Sequence, residues 1–136
     1  MDTKISATTA STMQIAMSGM RAQTSSMKVI ANNIANAMTS RTAAGTPYQR
    51  QQVVTAAGRG LGGVESSSVV RDTSSFKDVY LPGHPDANPA GYVKMPNVDL
   101  PVEMMSMVTA SRMYQANAAV MKRHMDGLEL TLELLK

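Results

Sequence analysis

The chain contains no cysteine, no tryptophan and a single phenylalanine, Phe76. Without cysteine there can be no disulfide and no thiolate metal site; that fits both the cytosol and a destination outside it. Without tryptophan there is little aromatic bulk for a compact core. No run of about 18 apolar residues occurs, so no membrane-spanning helix is expected. The first dozen residues lack an apolar h-region and do not read as a secretory signal peptide. Charge is also sparse, at 17% of 136 residues with a net charge of +3. Lysines and arginines are scattered, Lys122-Arg123-His124 being the densest run, and no basic face with aromatic platforms points to nucleic acid. There is no Gly-x-Ser-x-Gly elbow. The glycines from Gly58 to Gly63 lack the Lys-Ser/Thr and following helix of a phosphate loop.

What the chain has instead is methionine, 13 residues of it, and two apolar stripes. One runs Met13, Met17, Met20, Thr24, Met27, Ala31, Ile34, Met38. The other runs Leu100, Met104, Met107, Ser111, Tyr114, Ala118, Met121, Met125, Leu128, Leu132, Leu135. Both alternate steps of four and three, the a/d pattern of helices that pack lengthwise against other helices. Methionine adapts to irregular surfaces, which suits contacts with several non-identical neighbours. Met13, Met17, Met20 and Met104, Met105, Met107 could ligate copper(I) through thioethers, but the stripes account for them without a metal, and no cofactor is expected.

Helix one is expected to start at Ser11, which with Gln14 fits a capping box, and to run to Met38. Gly19 is a weak point within it, costing about 1 kcal/mol against alanine. Helix two is expected to start near Asp99, with Pro101 tolerated in its first turn. Glu103, Arg112, Gln115, Lys122, Arg123, Asp126, Glu129, Glu133 and Lys136 are assigned to its outer faces. Glu129 and Glu133 lie near the negative helix end, where a neighbour's arginine or lysine would be welcome. Residues 39–98 are rich in glycine and proline, with weakly alternating pieces at Tyr48–Thr55, Val64–Arg71, Phe76–Leu81 and Gly91–Met95.

The expected fold is therefore mainly α with a small β part. Residues 1–11 form a flexible polar tail. Helices 12–38 and 99–136 pair as an antiparallel coiled-coil hairpin, one helical core, and 39–98 supply a loop and a short β-hairpin or small sheet. One seam-to-seam contact leaves Ile15, Val29, Ile30, Met105, Val108, Met113 and Val120 partly exposed, an extent of apolar surface that marks a protein interface. His84, Asp86 and His124 could be drawn into a metal site of a small metal-dependent enzyme. However, Gly83-His84-Pro85-Asp86-Ala87-Asn88-Pro89 has the composition of a turn. An unrelated coiled-coil adaptor is the other rival.

Three stretches carry a resemblance. Ala31-Asn32-Asn33-Ile34-Ala35-Asn36 with Thr39, preceded by Ser18-Gly19-Met20-Arg21-Ala22-Gln23, resembles the end of the N-terminal helix of the bacterial flagellar rod and hook axial proteins. Gly83 to Val93, then Pro96-Asn97-Val98, resembles the segment typical of their proximal-rod members. Glu103 to Asn117 is similar to the C-terminal helix signature of the same family. The resemblance implies a non-enzymatic structural subunit of the flagellar basal body. Such a subunit is exported through the flagellar type III channel without a cleaved signal and stacked helically within the periplasmic space to transmit torque. It implies as partners copies of the chain, other proximal-rod proteins, the distal-rod protein and the rod-to-ring adaptor. Together with the two apolar stripes, it puts the subunit interface at Met13, Met17, Met20, Met27, Ile34, Met104, Met107, Met121, Met125, Leu128, Leu132 and Leu135. The polar residues Asn32, Asn33, Asn36, Tyr114, Gln115 and Asn117 are expected to fix register.

Overall fold

The computed structural model describes residues 2–58, 62–65 and 68–134, and the side chains of all these except 2–11 and 65. Among the described residues two helices of equal length, α1 (Asp2–Ala35) and α2 (Leu100–Glu133), flank six short strands. Among the described residues no helix is long and apolar enough to cross a membrane.

Helix α1 begins at Asp2, nine residues before the expected Ser11 cap, so the region expected to be a tail is helical in backbone. No proline or glycine interrupts residues 2–18. The helix stops three residues before Met38. The Asn36 amide donates to the Asn32 carbonyl at 2.9 Å, and Ala37 and Thr39 N–H groups donate three residues back, tightening the chain into turns. Helix α2 starts as expected. The Asp99 side chain accepts from the Val102 N–H, and Pro101 occupies the first turn.

The helices run in opposite directions where they touch, since Asn33 meets Glu103 and Gly19 meets Asn117. Their contact is rolled by one residue from the expected seam. On α2 the column Met107, Tyr114, Met121 stays partly covered. The expected companion column Met104, Met125, Leu132 is exposed and gives way to Glu103, Ala110, Asn117 and His124. On α1, Met17, Thr24 and Ala31 are exposed, as is Met38 beyond its end, while Ala16, Ala22, Val29 and Asn33 are buried. Small residues decide this. Ala16, Gly19, Ala22 and Ala110 let the helices approach closely, which large methionines cannot do. A Cβ on Gly19 would lie 2.7 Å from Asn117 Nδ2, so this glycine is where Asn117 fits rather than merely a weak point. Val29, expected to remain partly exposed, is buried.

The middle forms two hairpins instead of one small sheet. In the first, β1 (Gln51–Val53) pairs antiparallel with β4 (Val69–Arg71), and β2 (Ala56–Ala57) with β3 (Val64–Glu65). This hairpin lies back along α1. Its base meets Asn33 through Gln51, and towards its tip the Val64 N–H donates to the Ser18 hydroxyl at 3.0 Å. Gly63, at φ 101°, passes so close to Ser18 that a Cβ would sit 2.7 Å from its Oγ. In the second hairpin, β5 (Lys77–Tyr80) pairs with β6 (Tyr92–Met95). Strand β6 alternates, with Val93 and Met95 buried and Tyr92 and Lys94 outward. The Tyr80 and Tyr92 rings meet edge to face at 5.2 Å.

Candidate functional site

Where the two helices and the first hairpin converge, a polar hub replaces an apolar core. Asn33 is 0% exposed, yet all four of its hydrogen-bonding positions are used. Its Nδ2 donates to the Gln51 carbonyl at 2.8 Å and to Glu103 Oε2 at 3.0 Å. Its Oδ1 accepts from the Gln51 N–H at 2.9 Å and the Tyr48 hydroxyl at 3.0 Å. The carboxamide thus pairs with the free edge of β1 as a neighbouring strand residue would. Glu103 is also 0% exposed, and its second oxygen accepts from Arg50 Nε at 2.6 Å. A buried charge is tolerated only when paired and hydrogen-bonded in this way.

Arg50 carries the network outward. Its Nη1 reaches Asp72 Oδ2 at 3.4 Å, and its backbone N–H donates to Asn97 Oδ1 at 2.8 Å. Asn97 in turn donates to the Asp72 carbonyl and to Ser74 Oγ. The Ser74 backbone N–H, then the Ser74 hydroxyl and Arg50, hold the Asp72 carboxyl below the usual carboxylate range. Burial first, and the Glu103 carboxylate second, push the Tyr48 hydroxyl above its ordinary value. The hub therefore ties the end of α1, the start of α2, both strands of the first hairpin and the segment after β6 into one unit.

The expected register residues divide. Asn33 is the centre of the hub, Asn36 follows the end of α1, Tyr114 lines a shallow groove together with Met17, Met20 and Thr24, and Asn117 sits over Gly19. Asn32 and Gln115 point to solvent. Of the expected apolar interface residues, Met13, Met20, Met27, Ile34, Met107 and Met121 are half-buried, while Met17, Met104, Met125, Leu128 and Leu132 are exposed. Leu135 lies outside the described residues. Glu103, assigned from sequence to an outer face, is instead the innermost side chain of α2. Its heptad column of Glu103, Ala110, Asn117 and His124 is small and polar, so hydropathy alone reads it as surface. Tyr48, Arg50, Asp72 and Asn97 were missed for a related reason: they come from loops, and no periodicity links them to the helices.

Helix α2 leaves two apolar flanks exposed, one on each side of its inner face. One carries Met104, Met125 and Leu132. The other carries Met113, Val120 and Leu134, the last 81% exposed. Met105, next to the second flank, is 72% exposed. A shallow groove of about 530 Å³ beside it is lined by Ile30, Val102, Met105 and Met113 among others. The segment weighed as a ligand set serves as a brace. Asp86 accepts from the Ser40 hydroxyl at 2.8 Å and meets Arg41 at 3.4 Å, and its own N–H donates to His84 Nδ1. Among the described residues no three His, Asp or Glu side chains are placed to hold a metal ion.

Two long helices, a polar hub and exposed apolar flanks on α2 are the features that set this chain apart. Sequence comparison gives the family. Residues 13–41 match the flagella basal body rod protein family, and residues 90–132 match the C-terminal family of the flagellar basal body rod FlgEFG proteins. The chain is 43% identical to the flagellar basal-body rod protein FlgC of Salmonella typhimurium over 124 residues, covering 88% of this chain and 92% of the relative. It is 37% identical to FlgC of Borreliella burgdorferi over 147 residues, covering 93% and 97%, and 38% identical to FlgC of Agrobacterium fabrum over 128 residues, covering 90% and 92%. The chain belongs to the FlgC family of flagellar basal-body rod proteins.

Proposed function

We propose that this chain is a structural, non-catalytic subunit of the proximal part of the flagellar rod. It is exported without a cleaved signal and assembled in the periplasmic space, where it passes torque from the basal-body ring towards the distal rod. Its partners are copies of itself, other proximal-rod proteins, the distal-rod protein and the rod-to-ring adaptor. The two terminal helices act as an antiparallel coiled-coil hairpin, and the 39–98 insert braces the next subunit.

The observation that carries this reading is the pair of exposed flanks on α2, in a chain of the rod family. Two separate flanks call for two different neighbours, and contacts between unlike surfaces generate open helical stacks. Fully covering one leucine or methionine is worth about 1.5–3 kcal/mol, against about 0–1 kcal/mol for an exposed ion pair. The flanks therefore supply the affinity. The test is cryo-microscopy of isolated basal bodies from cells carrying this chain. Density for α2 is expected in the rod, with Met104, Leu132, Met113 and Val120 covered by neighbouring chains; rods built without this chain would contradict the reading.

A further inference from the structure

The face of α2 turned away from α1 is charged, and its charges are sorted by sign along the axis. Arg112, Lys122 and Arg123 come first, and Asp126, Glu129 and Glu133 follow. All six are exposed, and all but Arg123 fall on one stripe at heptad spacing. Among the described residues none of the six forms an ion pair. Lys122 and Asp126 stand four apart, but in the order that is weaker for a helical pair. Among the described residues the last turn of α2 holds no basic residue beside the acidic run; Lys136 follows in the sequence. This sorting forms no ion pair within the described residues. It is self-complementary for a second copy displaced along the axis.

We infer that α2 of one copy lies beside α2 of a second copy in parallel, displaced so that the acidic end of one meets the basic stretch of the other. A displacement of about 10–14 residues, roughly 15–21 Å, brings the two runs together. Each copy then keeps one unfilled end and one unfilled middle, so the contact propagates instead of closing. Apolar flanks can slide past one another; the charges fix how far. The direction of stacking rests on the rod reading above, while the match of charges does not.

Two full-length variants test this, Lys122→Glu/Arg123→Glu and Glu129→Lys/Glu133→Lys, followed by sedimentation at low salt and by the swimming of cells that express them. All the substituted side chains are exposed, so helix content by circular dichroism should be unchanged. Each variant alone should associate at least about tenfold more weakly than the unmodified chain and fail to support swimming. An equal mixture should recover both, because the reversed end of one meets the reversed middle of the other while native end meets native middle. High salt should weaken both the unmodified assembly and the mixture. The inference is overturned if either variant alone assembles normally, if the mixture fails to recover, if association stops at a closed dimer, or if the unmodified chain does not associate at all. Cells that still swim after deletion of the gene would sink the rod reading separately, leaving the mixing result in purified chains to decide the stagger.

Discussion

The two ends of α2 are held in opposite ways. From Leu100 to Ala110 its inner side is fixed by the chain itself, with Glu103 buried and bonded to Arg50 and Asn33. Beyond Met121 its described leucines and carboxylates are exposed, and His124 Nε2 is buried with no hydrogen-bond partner among the described residues. The first end is internally satisfied and specific. The second is apolar and unfinished, the condition expected of a surface completed by another chain. Within one helix, polar residues thus set geometry and apolar residues wait for partners, the reverse of an ordinary globular domain.

Breaking the satisfied end should cost most. Arg50→Ala strands a buried carboxylate and should lower the unfolding free energy of the purified chain by about 3 kcal/mol in denaturant titration. Glu103→Gln in the same background should restore part of it, because the amide carries no charge. Asn33→Ala removes four bonds and leaves the Gln51 backbone edge unpaired, for a loss of about 2 kcal/mol. Gly19→Leu drives a side chain into Asn117 and should cost about 1–3 kcal/mol; Asn117→Ala should relieve part of that, which a double-mutant cycle reads directly.

The hub also sets the pH range of stability. The Asp72 carboxyl is lower in the folded chain than in the unfolded one, so its contribution is present above the ordinary carboxylate range and disappears as pH falls through the folded value. Tyr48 is raised, so its contribution is intact below pH 10 and is lost as pH climbs above that. Asp72→Asn should flatten the acid limb and Tyr48→Phe the alkaline limb of a thermal-melting profile. At the unfinished end the effect on the free chain should be smallest. Leu132→Asp should change its stability by no more than about 0.5 kcal/mol, yet abolish swimming.

The sequence announced the helices well, because long uninterrupted periodicity, Asp99 and Pro101 are local signals. The column by which the two helices pack on each other was misread by one residue, because large methionines dominate hydropathy whereas alanine and glycine decide how closely helices pack. Asn33 stood out in the sequence as a polar residue near the end of α1, but its place at the centre of an intramolecular hub did not. Its partners did not stand out either, since Tyr48, Arg50, Asp72 and Asn97 reach it only after the hairpin folds back along α1. The brace at Asp86 was readable as a turn, but its bonds to Ser40 and Arg41 were not.

The most direct test of a helix pair pinned at one end and left open at the other is residue-resolved hydrogen exchange on the dilute, unassembled chain. Amides near Asn33, Gln51 and Glu103 should exchange slowest, with protection falling steadily along α2 beyond Met121. Uniformly slow exchange out to Leu134 would mean that the chain covers its own apolar flanks, and the division between a finished and an unfinished end would be wrong.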